Sequence, residues 1–238
     1  MTRPPRPRWI VLLPALLAAA QVHANLTVHP MRASVEAGKG TRIRVYSQSP
    51  QPQFVQASLR RIDNAAAGDE TEVEVAPDQA AIAVTPGKFA LAGGGNRLVR
   101  VIALQPVEAE TAFRIYFEGV RGADEPVAGA IAAAADRADA QIGVNLVWGA
   151  LVNVLPADGR VAFRIDDATL HNTGTLRLGV TSIAECLGTA CVAHDVSHSV
   201  YPGGKLVLPF VPQPDHSLHV RYRLTRDGYR EHVQVLAP

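Results

Sequence analysis

The feature that most restricts this chain is a period-two alternation of apolar and polar residues, repeated in short runs along most of its length. In TAFRIYFEG, Phe113, Ile115 and Phe117 oppose Arg114, Tyr116 and Glu118; in TRIRVYS, Ile43 and Val45 oppose Arg42, Arg44 and Tyr46. Successive side chains of a strand point to opposite faces, so such runs read as half-buried β-strands. QFVQASLRRID places Val55, Ala57 and Leu59 on one face. NRLVRVIAL is largely apolar on both faces, the pattern of a central strand covered on both sides. Shorter strands fit TEVEV (71–75) and AIAVT (81–85), and Gly93-Gly94-Gly95 forms a turn. About seven runs in roughly 95 residues predict a seven-stranded immunoglobulin-like sandwich.

A second set of strands follows a stretch of different character. From Arg121 to Gln141 the chain reads RGADEPVAGAIAAAADRADAQ, dominated by Ala and interrupted by Pro126. Its apolar positions are too small to bury much area, so residues 122–140 read as an interdomain linker, with a short helix over Ala130–Ala140 as the alternative. Alternation resumes in IGVNLVWGALVNVLP, where Val144, Leu146 and Trp148 share a face. It continues through RVAFRI, TLRLGVTSI, KLVLPFV and SLHVRYRL, and an Asp227-Gly228 turn leads into YREHVQVL. The fold class expected is all-β, with two immunoglobulin-like sandwiches, at 25–121 and 141–238, around an interdomain cleft.

The N-terminus sets the compartment. Arg3, Arg6 and Arg8 precede the apolar stretch Trp9–Ala20, and Val22-His23-Ala24 has the small-x-small pattern of a cleavage site. A spanning helix needs about 20 apolar residues; this stretch is shorter and contains Pro14, so residues 1–24 read as a signal peptide. Removing 24 of the 238 residues leaves 214, and losing three arginines leaves 20 Lys and Arg against 22 Asp and Glu. A net charge of about −2 gives no field for nucleic acid or anionic lipid. No later segment is apolar enough for stable membrane insertion.

Only two cysteines are present, Cys186 and Cys191 in ECLGTAC. In an oxidising compartment they most simply form a disulfide closing a small loop. Zinc is the alternative, because His194 and His198 follow, but the spacing is not that of a common zinc module. No hydrolase elbow, zinc-protease helix, P-loop or dinucleotide fingerprint occurs. His194, Asp195 and Ser197 are neighbours in sequence, and a catalytic triad needs convergence from distant segments. No catalytic residue, metal ligand or cofactor is therefore assigned.

The segments LTVHPMRASVEAG, RIRVYS, FALAGGGNRLVRVIAL and TAFRIYFEGV together resemble the periplasmic pilus chaperones of the chaperone–usher pathway, in the branch serving common-pilus and alpha-type fimbriae. The resemblance is dense over 26–120 and thinner afterwards, where GVNLVWG, LHNTGTLRL and YPGGKLVLPF carry it. It implies a periplasmic protein whose partners are pilus subunits and an outer-membrane usher. In that family a basic residue on the first strand and another on the last strand of domain one clamp the subunit's C-terminal carboxylate; Arg32 and Arg114 match those positions, Arg114 standing where lysine is common. A guanidinium holds a carboxylate bidentately. The family's chaperone also donates a strand to an incomplete subunit. Stepping back by twos from Phe113 selects Val107, Ala109 and Thr111 as donors. Their side chains are small and Pro106 removes a backbone donor, so Leu104 and its neighbours are alternative contributors. A secreted structural pilus subunit or adhesion module is the alternative reading of the whole chain.

Overall fold

The computed structural model describes residues 26–76, 81–120 and 146–237. The expected signal peptide and the stretch read as a linker lie outside them. The alternating runs form ten strands in the first part of the chain: β1 (Leu26–His29), β2 (Arg32–Glu36), β3 (Gly40–Ser47), β4 (Gln53–Asp63), β5 (Thr71–Glu74), β6 (Ile82–Thr85), β7 (Lys88–Leu91), β8 (Asn96–Ala103), β9 (Thr111–Val120) and β10 (Val147–Leu155). Seven follow: β11 (Phe163–Asp166), β12 (Thr169–Asn172), β13 (Leu178–Leu187), β14 (Ala190–Val200), β15 (Lys205–Val207), β16 (Ser217–Arg223) and β17 (Glu231–Leu236), with a 3-10 turn at Thr225–Asp227.

These strands make four sheets in two sandwiches. In the first sandwich the order β1-β3-β8-β6 faces β2-β10-β9-β4-β5, with β7 also paired to β4. In the second, β11-β12-β15 faces β14-β13-β16-β17. Each encloses its own cluster of buried side chains, with Ile43, Val55, Val99, Ile115 and Phe117 in one and Leu170, Leu178, Ile183 and Val220 in the other. Removing a fully buried Phe117 side chain would cost about 3–5 kcal/mol.

The strand count differs from the sequence reading for two reasons. The first strand is split at Pro30, which has no N–H for a ladder bond; β1 pairs with β3 in one sheet and β2 crosses to pair with β10 in the other. The second difference moves the boundary between the units. IGVNLVWGALVNVLP, read as the start of the second unit, contains β10, which pairs antiparallel with β9 from Val147↔Glu118 to Val154↔Thr111. Its Ala150, Val152 and Val154 are buried in the first core. The stretch expected to be the interdomain linker therefore joins two neighbouring strands of one sheet. The chain passes to the second core between Leu155 and Phe163. The β8 expectation also changes, since its outward residues Arg100 and Ile102 are exposed rather than covered.

The glycine-rich turn before β8 is required by space. A Cβ on Gly93 would lie 2.0 Å from the Pro50 carbonyl oxygen, and Gly94 has φ +65°.

Candidate functional site

The second unit packs over one end of the outer face of the β2-β10-β9-β4-β5 sheet, and a cleft opens where that cover stops. Three residues in one register row approach it: Arg32 on β2 lies opposite Leu151 on β10, and Leu151 opposite Arg114 on β9. Directly opposite residues share a face, so both arginines project to the outer side. They line a cavity of about 180 Å3 together with Arg177, Tyr201 and Tyr229 from the second unit. The two arginines named from sequence are thus brought to one cleft.

Their states differ. Arg114 is ion-paired, with Nη2 3.3 Å from Glu70 and Nη1 against Glu72, whose carboxylate also accepts a 2.8 Å hydrogen bond from the Tyr116 hydroxyl. Burial works against its charge, but interaction with Tyr116 and Glu72 outweighs this and holds its pKa above the ordinary arginine value. Its stem crosses Gly149, where a Cβ would come within 3.0 Å of Arg114 Cδ. Arg32 is exposed and has no hydrogen-bond or ion-pair partner among the described residues.

The wall between the two units is a hydrogen-bond network that sequence reading missed. Glu110, just before β9, is 4% exposed. Its carboxylate accepts from Asn153 Nδ2 at 2.5 Å, Thr225 Oγ1 at 2.7 Å and the Arg177 backbone N–H at 2.8 Å. Its own N–H donates to the Thr175 carbonyl at 2.8 Å. A buried carboxylate is tolerable when its lone pairs are used in this way. Arg177, 7% exposed, donates to Ser199 Oγ from Nε and Nη2 at 3.2 and 2.7 Å. The Tyr201 hydroxyl donates to Asn153 Oδ1 at 3.2 Å, and burial pushes its pKa up to about 12.

The residues expected as donors lie in the loop before β9 and at its first position. Val107 and Ala109 are in the loop before β9, with Val107 packed on the first core, and the Ala109 carbonyl accepts from Thr111 Oγ1 at 2.9 Å. Thr111 opens β9, an interior strand with β10 on one side and β4 on the other. An interior strand has no edge to lend; β9 is also not the last strand of its sandwich, because β10 follows it.

A free edge is present on β10. β2 pairs with it only over Leu151–Leu155, so Val147–Ala150 is bonded to β9 alone among the described residues. Exposed apolar side chains cluster there, with Leu146 at 41% and Val147 at 47% exposure. The Trp148 indole N–H at this edge is buried with no acceptor among the described residues. The alternation of Leu146 and Trp148, continued by the buried Ala150, Val152 and Val154, was the sequence signal for this strand.

The expected disulfide is present. Cys186 and Cys191 are register partners near the tip of the β13–β14 hairpin, with sulfurs 2.01 Å apart. His219 lies near this pair, whereas His194 stacks on Phe210 with ring centroids 4.0 Å apart. Among the described residues, no helix is long and apolar enough to cross a membrane.

No family model matches the chain. Two curated fimbrial proteins from Escherichia coli are similar to it. The relative from CS1 fimbriae, named as one of their subunits, is 27% identical over 203 residues, covering 81% of this chain and 84% of the relative. The relative from CFA/I fimbriae, likewise named as a subunit, is 25% identical over 200 residues, covering 80% and 82%. Among solved structures, the class 5 fimbriae chaperone CfaA superposes with a TM-score of 0.75 at 22% identity, over 90% of this chain and 100% of that one. A chain from a chaperone–tip adhesin complex of CFA/I fimbriae gives 0.71 at 23% identity, over 90% and 100%. The Escherichia coli chaperone DraB gives 0.51 at 14%, over 89% and 98%. The two-sandwich fold is that of the fimbrial chaperones.

Proposed function

We propose that this protein is a periplasmic chaperone for fimbrial subunits, which lends a subunit the free edge of β10, holds its C-terminal carboxylate in the cleft, and releases it to an outer-membrane usher. The observation that carries this reading is one continuous arrangement. The unpaired, apolar edge at Val147–Ala150 runs directly into Leu151, beside which Arg32 stands without a carboxylate partner among the described residues. A backbone edge supplies ladder bonds, side chains at alternate positions fill a groove, and the cation fixes the register of the incoming strand. Arg114 supports this as a second cation, one that shares its charge with Glu70 and Glu72. The donor role moves from Val107, Ala109 and Thr111 to Leu146–Ala150. The proposed activity is binding without catalysis.

The names of the two curated relatives raise the other reading, a structural fimbrial subunit. Against it stand two closed cores: Phe117 and Ile43 in the first and Leu170 and Ile183 in the second are fully buried. A subunit awaiting a donated strand would leave part of its core open.

The test is co-expression with candidate fimbrial subunits. The chaperone reading expects an equimolar soluble complex that is lost in the Arg32→Ala variant. Undiminished capture by Arg32→Ala would overturn the anchor, and assembly of the chain itself into fibres would favour the subunit reading.

A further inference from the structure

The β1-β3-β8-β6 sheet, on the opposite side of the first sandwich from the cleft, is electrostatically one-sided. Its four strands contain no Asp or Glu, yet they carry Arg42, Arg44, Arg97 and Arg100 together with His29. Arg42 and Arg100 are register partners, both exposed on the outward face. Arg44, two residues along on that face, lies opposite His29 and donates to the neutral side-chain oxygen of Asn96 at 2.9 Å. Arg42, Arg97 and Arg100 have no hydrogen-bond or ion-pair partner among the described residues. In the other sheet of the same sandwich, by contrast, three of the four strand arginines are paired: Arg60 with Glu74, Arg61 with Asp63, and Arg114 with Glu70, leaving only Arg32 at the cleft without a partner among the described residues.

Like charges placed directly across a ladder are destabilising. An Arg–Arg pair on a sheet without any acid is therefore a cost to the folded chain, and an anionic partner removes it. We propose that this outer face docks an extended acidic protein segment, with carboxylate side chains held between the register partners Arg42 and Arg100. One feature selects a protein segment over a flat lipid surface. Along β8 the outward positions Leu98, Arg100 and Ile102 alternate apolar and basic character, which complements a strand-like segment alternating apolar and acidic residues. Arginine rather than lysine fits carboxylate recognition, because its fork binds both oxygens. This surface is separate from the cleft and does not depend on the chaperone reading.

The test measures binding of the full chain to poly-L-glutamate, and to vesicles of phosphatidylcholine with phosphatidylglycerol, in low salt and in about 0.5 M NaCl, where surface charge is screened. Poly-L-glutamate should bind in low salt and be released in high salt. Measured in the Arg32→Ala background, which removes the carboxylate anchor of the cleft, the Arg42→Gln/Arg100→Gln variant should bind about tenfold more weakly. Arg100→Gln should also raise Tm, because it removes the Arg–Arg repulsion. Unchanged binding by the double variant overturns the proposal, as does loss of binding in Arg32→Ala, which would place the polyanion in the cleft. Arginine-dependent binding to the vesicles alone, or a fall in Tm on Arg100→Gln, overturns it too.

Discussion

Arg32 and Arg114 flank Leu151 in a single register row, and only Arg114 already holds carboxylates. The two cations that the first unit brings to the cleft are therefore not equivalent. One is available to an incoming carboxylate at no cost to the fold; the other is part of the fold.

This asymmetry separates the two variants. Arg32→Ala is expected to abolish subunit capture while leaving urea denaturation unchanged within about 0.5 kcal/mol. Arg114→Ala leaves Glu70 and Glu72 without their cation and should lower stability by about 1–2 kcal/mol, with a smaller effect on capture. The reverse pattern would contradict the assignment of roles.

Glu110 ties the two units together through Asn153, Thr225 and Arg177. Glu110→Ala strands three buried donors and is expected to cost about 2–4 kcal/mol. It should also broaden the distribution of interdomain angles seen by small-angle X-ray scattering. A stable variant with an unchanged scattering profile would show that the network does not set the cleft.

Tyr201 gives the fold an alkaline limit. Its pKa in the folded chain is pushed up to about 12 by burial, against an ordinary value of 10. The unfolded chain loses this proton first as pH rises, so it binds fewer protons than the folded chain between about pH 10 and 12. Stability from this group is complete below about pH 10 and declines as pH rises through that window. Tyr201→Phe should flatten the decline in a chemical-denaturation series, and an unchanged slope would argue that Tyr201 titrates normally.

The Cys186–Cys191 bond closes a short loop at a hairpin tip, far in sequence from the cleft residues of the first unit. Chain entropy for so small a loop amounts to about 2 kcal/mol. The Cys186→Ser/Cys191→Ser variant should therefore fold, with a slightly lower Tm and unaltered subunit binding. Loss of binding would tie the hairpin to the site.

Because a half-buried strand writes its two faces directly into the chain, period-two alternation revealed β3, β4, β5, β6, β8 and β9 of the first sandwich and the strand that became β10, but not β1, β2 or β7. It did not reveal partners. Leu146, Trp148, Ala150 and Val152 alternate in the same way whichever core receives them, and only the β9–β10 register assigns them to the first. The Ala-rich stretch before them invited a boundary ahead of β10 rather than after it, and with β9 read as the last strand of the first unit the donor was placed at Val107–Thr111. Arg32 and Arg114 were legible through the family resemblance. Glu110 and Arg177 were not, since a buried polar contact between residues 67 apart depends on how the two units meet.

In the proposed complex a subunit occupies the edge at Val147–Ala150. Hydrogen–deuterium exchange of the free chain and of the subunit complex tests it most directly. The amides of Val147–Ala150 not bonded to β9 should exchange rapidly in the free chain and become strongly protected in the complex. The loop holding Val107 and Ala109 should be unaffected. Equal exchange at Val147–Ala150 in both states, with protection elsewhere, would contradict it.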